Sequence, residues 1–263
     1  MTLLSQIDGL HALAGLLVGL LVGLTGVGGG SLMTPLLVLF FGLHPSTPVG
    51  TDLLFAAATK CAGTAVHSGG KSVDWRIVGR LATGSIPATV LSLGVIAWLG
   101  AASKDVSAAI SYILGIALLL SAVSLLFKEK IVKAIARRHP EFGDGESRRL
   151  TIIVGFVLGI LVAFSSVGAG ALGTIALIIL YPRLPMVRIV GSDIAHAVPL
   201  TLLAGLGHLA LGTINVHLLG ALLMGSIPGI ILGSLLAKFA PDKLLKLCLG
   251  LILALVGAKM LFK

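Results

Sequence analysis

Apolar residues run along this chain in long blocks, separated by short polar or glycine-rich stretches, with no sustained period-two alternation. Ten blocks can be drawn. They are 10–26, 30–43, 49–69, 76–99 and 106–127, then 150–166, 170–181, 189–211, 217–237 and 243–262. A helix needs about 20 residues to cross a bilayer. Segments 30–43 and 170–181 fall short, and each follows a glycine cluster, so both are expected to be half-helices or re-entrant pieces. The pattern predicts an all-α polytopic membrane protein, with eight full spans plus two short pieces, or ten segments in all.

The blocks repeat. Val49-Gly50-Thr51-Asp52 returns as Val190-Gly191-Ser192-Asp193, His67 as His208, Asp74 as Asn215, and Gly84-Ser85-Ile86-Pro87 as Gly225-Ser226-Ile227-Pro228, all at an offset of 141. Val27-Gly28-Gly29-Gly30 answers Val167-Gly168-Ala169-Gly170 at an offset of 140. An internal repeat in an apolar chain marks a secondary transporter built from two related halves, and short segments at matching positions point to its binding site. Residues 1–127 are read as the first membrane repeat, 128–149 as a basic loop and 150–263 as the second repeat. Pro87 and Pro228 are expected to kink the fourth and ninth helices.

Composition supports the membrane reading. The 263 residues are 57% hydrophobic and 11% charged, against about 25% charged in soluble domains. Cys61 and Cys248 lie inside apolar segments and form no metal-ligand spacing. The net charge of +9 does not imply nucleic acid, because the bases sit in loops. With 128–149 taken as cytoplasmic, 15 of the 19 Lys and Arg residues fall on that side and three on the other. Both termini are therefore expected outside. Five segments per repeat, an odd number, makes the halves inverted. Trp75, with Asp74 and Arg76, reads as a cytoplasmic interfacial anchor. No removable signal peptide is read at the N-terminus.

Ionisable residues inside apolar segments are costly, roughly 2.5–3.5 kcal/mol for Asp or Lys at a helix centre. Asp52, Lys60 and His67 share the third segment. At 100° per residue, Lys60 stands about 80° and His67 about 60° around from Asp52. Ala56, Thr59 and Gly63 complete a small, polar stripe. The eighth segment carries Asp193, His196 and His208. A polar pathway at the repeat interface follows, with Asp52, Asp193, His67, His196 and His208 as candidate proton carriers. A capping role at helix starts explains the two acids equally well. Lys60 supplies a positive charge for an anion, and its counterpart, Thr201, does not.

Thr25 to Ser31 is glycine-rich, but no strand precedes it, which excludes a dinucleotide fold. In lipid it reads as a break between half-helices, whose exposed N–H groups could hold an anion. Gly28, Gly29, Gly30 and Ser31, with Gly168, Ala169 and Gly170 opposite, are the candidate anion-binding backbone, alongside Lys60 and Thr59. Close helix packing through small residues is the competing reading. No nucleophile–base set, metal cluster or cofactor motif stands out, so neither an enzyme nor a cofactor is expected.

At these residues the chain resembles the sulfite exporter TauE/SafE family, also called the toluenesulfonate uptake permease or DUF81 group. The resemblance covers nearly the whole chain. It rests on Gly26-Val27-Gly28-Gly29-Gly30-Ser31 with Pro35, on Val49 to Phe55, on His67 followed by Val73-Asp74-Trp75, and on the paired Gly-Ser-Ile-Pro. The chain departs from the family's usual pattern at Asp52 and Lys60, where many relatives carry a neutral residue. The resemblance implies an inner-membrane permease for sulfite, sulfonates or related small anions.

The expected function is a secondary transporter of a small anion, proton-coupled, working by alternating access. An intramembrane enzyme acting on a lipid phosphate and a channel or complex subunit are the alternatives. The expected partners are a small anionic substrate and the bilayer, without nucleic acid. The oligomeric state is left open, a homodimer included.

Overall fold

The computed structural model describes residues 3–25, 30–67, 73–138, 142–236 and 242–262. Within them the chain forms ten helices and no strand. The first five are α1 (Leu3–Thr25), α2 (Gly30–Leu39), α3 (Ser46–His67), α4 (Trp75–Leu99) and α5 (Lys104–Arg138). The second five are α6 (Asp144–Ser165), α7 (Ala171–Leu180), α8 (Met186–Ala210), α9 (Val216–Leu236) and α10 (Asp242–Leu261). Six of them, α4, α5, α6, α8, α9 and α10, contain stretches long and apolar enough to cross a membrane. Helices α2 and α7 have 10 residues each. At 1.5 Å per residue that is about 15 Å, half of a hydrocarbon core about 30 Å thick. The two short segments read from the sequence are therefore short helices.

Each expected segment finds its helix, most within a few residues. The largest difference is at 128–149, read as a loop, which is helical except at Phe142 and Gly143 among its described residues. Helix α5 continues to Arg138 because Val132 and Ile135 turn inward, against the cluster of Ile77, Leu81, Ile178 and Ile189. Its Lys, Arg, Glu and Ala residues are good helix formers besides. Helices α4 and α9 continue through Pro87 and Pro228.

The most extensive helix pairings run between the halves. Helix α1 lies along α9, α6 along α4, α3 against α8, and α5 against α10. Glycines set these close approaches, as expected where helices gain by tight packing in lipid. A Cβ on Gly15 would overlap the Leu222 carbonyl, and one on Gly155 the Leu81 carbonyl. In the reverse direction, a Cβ on Gly225 would overlap the Ala12 carbonyl, and one on Gly84 the Ile152 carbonyl. Every partner here is displaced by 140 or 141 positions from its counterpart. The same junction is built twice.

Helix starts are duplicated in the same way. The Asp74 N–H donates to Ser192 Oγ at 2.8 Å, and the Asn215 N–H donates to Thr51 Oγ1 at 3.4 Å. Each residue also caps its own helix: Asp74 Oδ1 accepts from the Arg76 N–H and Asn215 Oδ1 from the Leu218 N–H. The copies differ in one respect. Asp74 Oδ2 also pairs with Arg188 Nη2 at 3.3 Å, whereas Thr47 occupies the position corresponding to Arg188. At that same end Arg80 joins Asp144 at 2.7 Å and the Tyr181 hydroxyl at 3.2 Å, tying α4, α6 and α7.

The outer surface is apolar. Trp75 and Trp98, at opposite ends of α4, are 72% and 85% exposed. At 1.5 Å per residue they stand about 35 Å apart along the axis, the spacing of two membrane interfaces.

Candidate functional site

The charged residues of the sequence pattern meet where α3 and α8 face each other, with short helices α2 and α7 against them. Asp52 is fully buried. Its Oδ2 accepts the Thr34 hydroxyl at 2.6 Å and the Thr34 N–H at 3.3 Å. Asp193, 1% exposed, accepts the Thr174 hydroxyl at 2.8 Å. Thr34 and Thr174 stand 140 residues apart and the two acids 141, so one threonine–carboxylate pair is repeated. Neither acid caps its own helix, although Asp52 accepts an N–H near the start of α2. Helices α3 and α8 start at Ser46 and Met186, which places each carboxyl well inside its helix.

Lys60 enters this region from α3. Its ammonium donates to the Ala169 carbonyl at 3.2 Å, across to the other half. Asp52, Asp193 and His196 all lie within electrostatic reach of it. Its counterpart Thr201 is buried and turns its hydroxyl to the Ala197 carbonyl of its own helix. Lysine therefore brings a charge that only one half supplies.

Ala169 belongs to the break between α6 and α7. Ser166 ends α6 in the left-handed region at φ 60°, and Gly168 and Gly170 hold φ 125° and 133°. A side chain at either glycine would be strained by roughly 1–3 kcal/mol. Gly170 gives α7 no side-chain cap, and Ala169 to Leu172 are partly exposed. A Cβ on Gly173 would overlap the Asp193 carboxylate, so glycine is also what admits that acid against α7.

Four buried polar atoms around the cluster lack a hydrogen-bond partner: Asp52 Oδ1, Asp193 Oδ1, Ser166 Oγ and His196 Nδ1. The Ser166 hydroxyl lies beside Asp52, outside hydrogen-bond geometry. Unpaired buried groups of this kind are rare and call for an explanation. A site that binds polar ligands or protons is one.

The remaining expected residues are placed as follows. His196, 1% exposed, bonds Ser85 Oγ through Nε2 at 2.8 Å. His208 is a strut. Its Nε2 meets the Ala163 carbonyl at 3.0 Å and its Nδ1 meets Thr213 Oγ1 at 2.9 Å, so protein groups engage both nitrogens. Thr59 turns its hydroxyl back to the Ala56 carbonyl at 3.1 Å. Gly30 and Ser31 open α2 and His67 closes α3; the side chains of Ser31 and His67, and all of Gly28 and Gly29, lie outside the described residues. Sequence reasoning passed over Thr34, Thr174 and Ser85. Their signal was recurrence: each polar residue returns inside an apolar helix at the repeat offset. Among the described residues, no group of His, Cys, Asp and Glu side chains is placed to hold a metal ion.

Apolar helices of spanning length around a buried set of charges define a multi-pass membrane protein of the kind that moves solutes. The chain belongs to the sulfite exporter TauE/SafE family, whose profile matches residues 11–260. Over 212 residues it is 39% identical to the "Probable membrane transporter protein YjnA" of Bacillus subtilis (strain 168), covering 80% of this chain and 83% of that one. No solved structure matches it.

Proposed function

We propose that this membrane transporter is a secondary carrier of a small oxyanion, with sulfite and organic sulfonates the leading substrates, and that it moves the anion together with protons. The observation that carries the reading is Lys60, set among two threonine-held carboxylates and bonded to the glycine break at Ala169.

The charge arithmetic supplies the coupling. With Lys60, Asp52 and Asp193 all ionised, the site carries one net negative charge and repels an anion. Each proton taken up by an acid raises that charge by one. At an effective dielectric constant of about 20, one unit charge about 6 Å from an anion is worth roughly 3 kcal/mol, on the order of a hundredfold in affinity. Anion and proton therefore favour each other's binding, and that mutual preference is what a symporter needs.

Alternating access follows from the duplication. Residues 1–127 and 150–263 are proposed as inverted repeats, with 128–149 in the cytoplasm, both termini outside, and the inner membrane as location. The doubled helix junctions and the loop charges support this arrangement. On this proposal the Asp74–Arg188 and Arg80–Asp144 pairs lie at the cytoplasmic end, where they would latch the inward mouth.

The test is flux in proteoliposomes. Sulfite, thiosulfate and methanesulfonate are offered with and without an imposed pH gradient, and internal pH is followed. Saturable anion uptake that carries protons is expected. If Lys60→Ala and Gly29→Leu proteins, correctly inserted, move the anion like wild type, the reading is wrong.

A further inference from the structure

Several helix hydroxyls among the described residues are satisfied within their own helix, whereas Ser85, like Thr34, Thr89 and Thr174, reaches another one. Ser165, Thr83, Thr151, Ser192 and Thr201 each donate back to the carbonyl four residues earlier. Such back-bonding is the ordinary way for a helix to satisfy a hydroxyl. Ser85, fully buried, instead bonds His196 Nε2 across from α4 to α8 at 2.8 Å. Its proton is therefore available to the ring.

The other ring nitrogen, His196 Nδ1, is buried and has no hydrogen-bond partner. The groups around the ring come from three helices. Lys60 approaches from α3, Ser85 from α4, and Asp193, whose Oδ1 is also unpartnered, stands one turn earlier on α8. The other half supplies a comparison. There Phe55 replaces the histidine and packs with Leu222 on α9, and Ser226, the counterpart of Ser85, is buried without a partner. The serine is kept in both halves, and the ring it serves is present in one.

We infer that Ser85 donates to His196 Nε2, fixing the proton on Nδ1, and that this N–H is a neutral hydrogen-bond donor to the oxyanion held by Lys60. The inference rests on the proposed anion site and adds an anion-contacting residue to it, with Ser85 as its positioning residue. A neutral donor suits this place. It binds an oxyanion without adding a second buried cation, whose desolvation would have to be offset. Because only one half has it, the anion sits off the pseudo-symmetry axis, nearer α8.

The experiment is calorimetric titration of the purified full-length protein with sulfite, sulfate, thiosulfate and methanesulfonate, with thermal melting as the check on folding. His196→Gln can still reach Ser85 but leaves the Nδ1 position empty, whereas His196→Asn places an amide N–H near it. Hydrogen bonds to charged groups set the scale. His196→Gln should bind the best anion about tenfold more weakly and Ser85→Ala about fivefold, with His196→Asn within about threefold of wild type. Ser226→Ala should bind like wild type. Nitrogen-15 spectra of labelled histidine should show His196 protonated on Nδ1. Wild-type affinity in both His196→Gln and Ser85→Ala, or a proton on Nε2 alone, overturns the inference while leaving the anion site standing. A wild-type protein that binds none of the four anions overturns the transport reading and this inference with it.

Discussion

Lys60 of α3 donates to the backbone carbonyl of Ala169, so a side chain of the first half fills an acceptor in the glycine break of the second. Removing one partner from a buried charge cluster costs roughly 3–5 kcal/mol, because the charges left behind lose their compensation. Lys60→Met should therefore lower the melting temperature and abolish anion flux. Adding Asp193→Asn should restore much of the stability and none of the flux. Melting and proteoliposome uptake of the single and double variants separate the two effects.

Affinity for methanesulfonate, whose own charge does not change, should rise as pH falls. The sign follows from charge: each proton on Asp52 or Asp193 makes the site less negative. Asp193→Asn removes one of the two protonation sites, so binding titrations at a series of pH values should show a flatter pH dependence.

The threonines that hold the acids should stabilise the fold in equal measure. Thr34→Val and Thr174→Val each remove a hydroxyl from a buried carboxylate, at roughly 1–3 kcal/mol. Thr34→Ser and Thr174→Ser retain the hydroxyl and should recover most of the loss. Denaturation midpoints of the four variants decide this.

Repeat-related glycines should divide by geometry. Gly84→Ala and Gly225→Ala place a methyl on a facing carbonyl and should destabilise by more than the roughly 1–3 kcal/mol of ordinary overpacking. Gly79 and Gly220, also separated by the repeat offset, have nothing within 4 Å of an added Cβ. Alanine there should be neutral, or stabilising by up to about 1 kcal/mol through helix propensity.

The Asp74 latch can be separated from the Asp74 cap. Asp74→Asn converts the residue to its counterpart, Asn215, keeping a capping side chain and losing the pair with Arg188. Partly exposed pairs are worth about 0.2–1 kcal/mol, so its stability should barely change. Asp74→Ala should cost a further 0.5–2 kcal/mol or so, the usual value of an N-cap. Thermal melts of both variants check the ranking.

Most of the fold could be read from the chain because lipid leaves few options: apolar length gives the helices, glycine clusters the breaks, and repetition the pairing of halves. Residues 128–138 were misread, since their charges signal a loop while Val132 and Ile135, which hold the helix in place, are sparse. At the site, Asp52, Lys60 and Asp193 announce themselves by their cost in an apolar segment. Their threonine partners do not, because a threonine in an apolar helix has a backbone carbonyl always within reach. Only the third dimension shows that Thr34 and Thr174 bond a carboxylate, and that His208 is held at both nitrogens while His196 is held at one.

The junction of Gly15 with Leu222 has a consequence for biogenesis. These residues are separated by more than 200 positions. At synthesis rates of about 5–20 residues per second, α1 is made roughly 10–40 s before α9 exists. Throughout that time its glycine face is without the helix it packs against in the finished fold. Helix α1 must wait for most of this chain before it can reach its final partner, and whatever holds it meanwhile is part of how this protein is assembled.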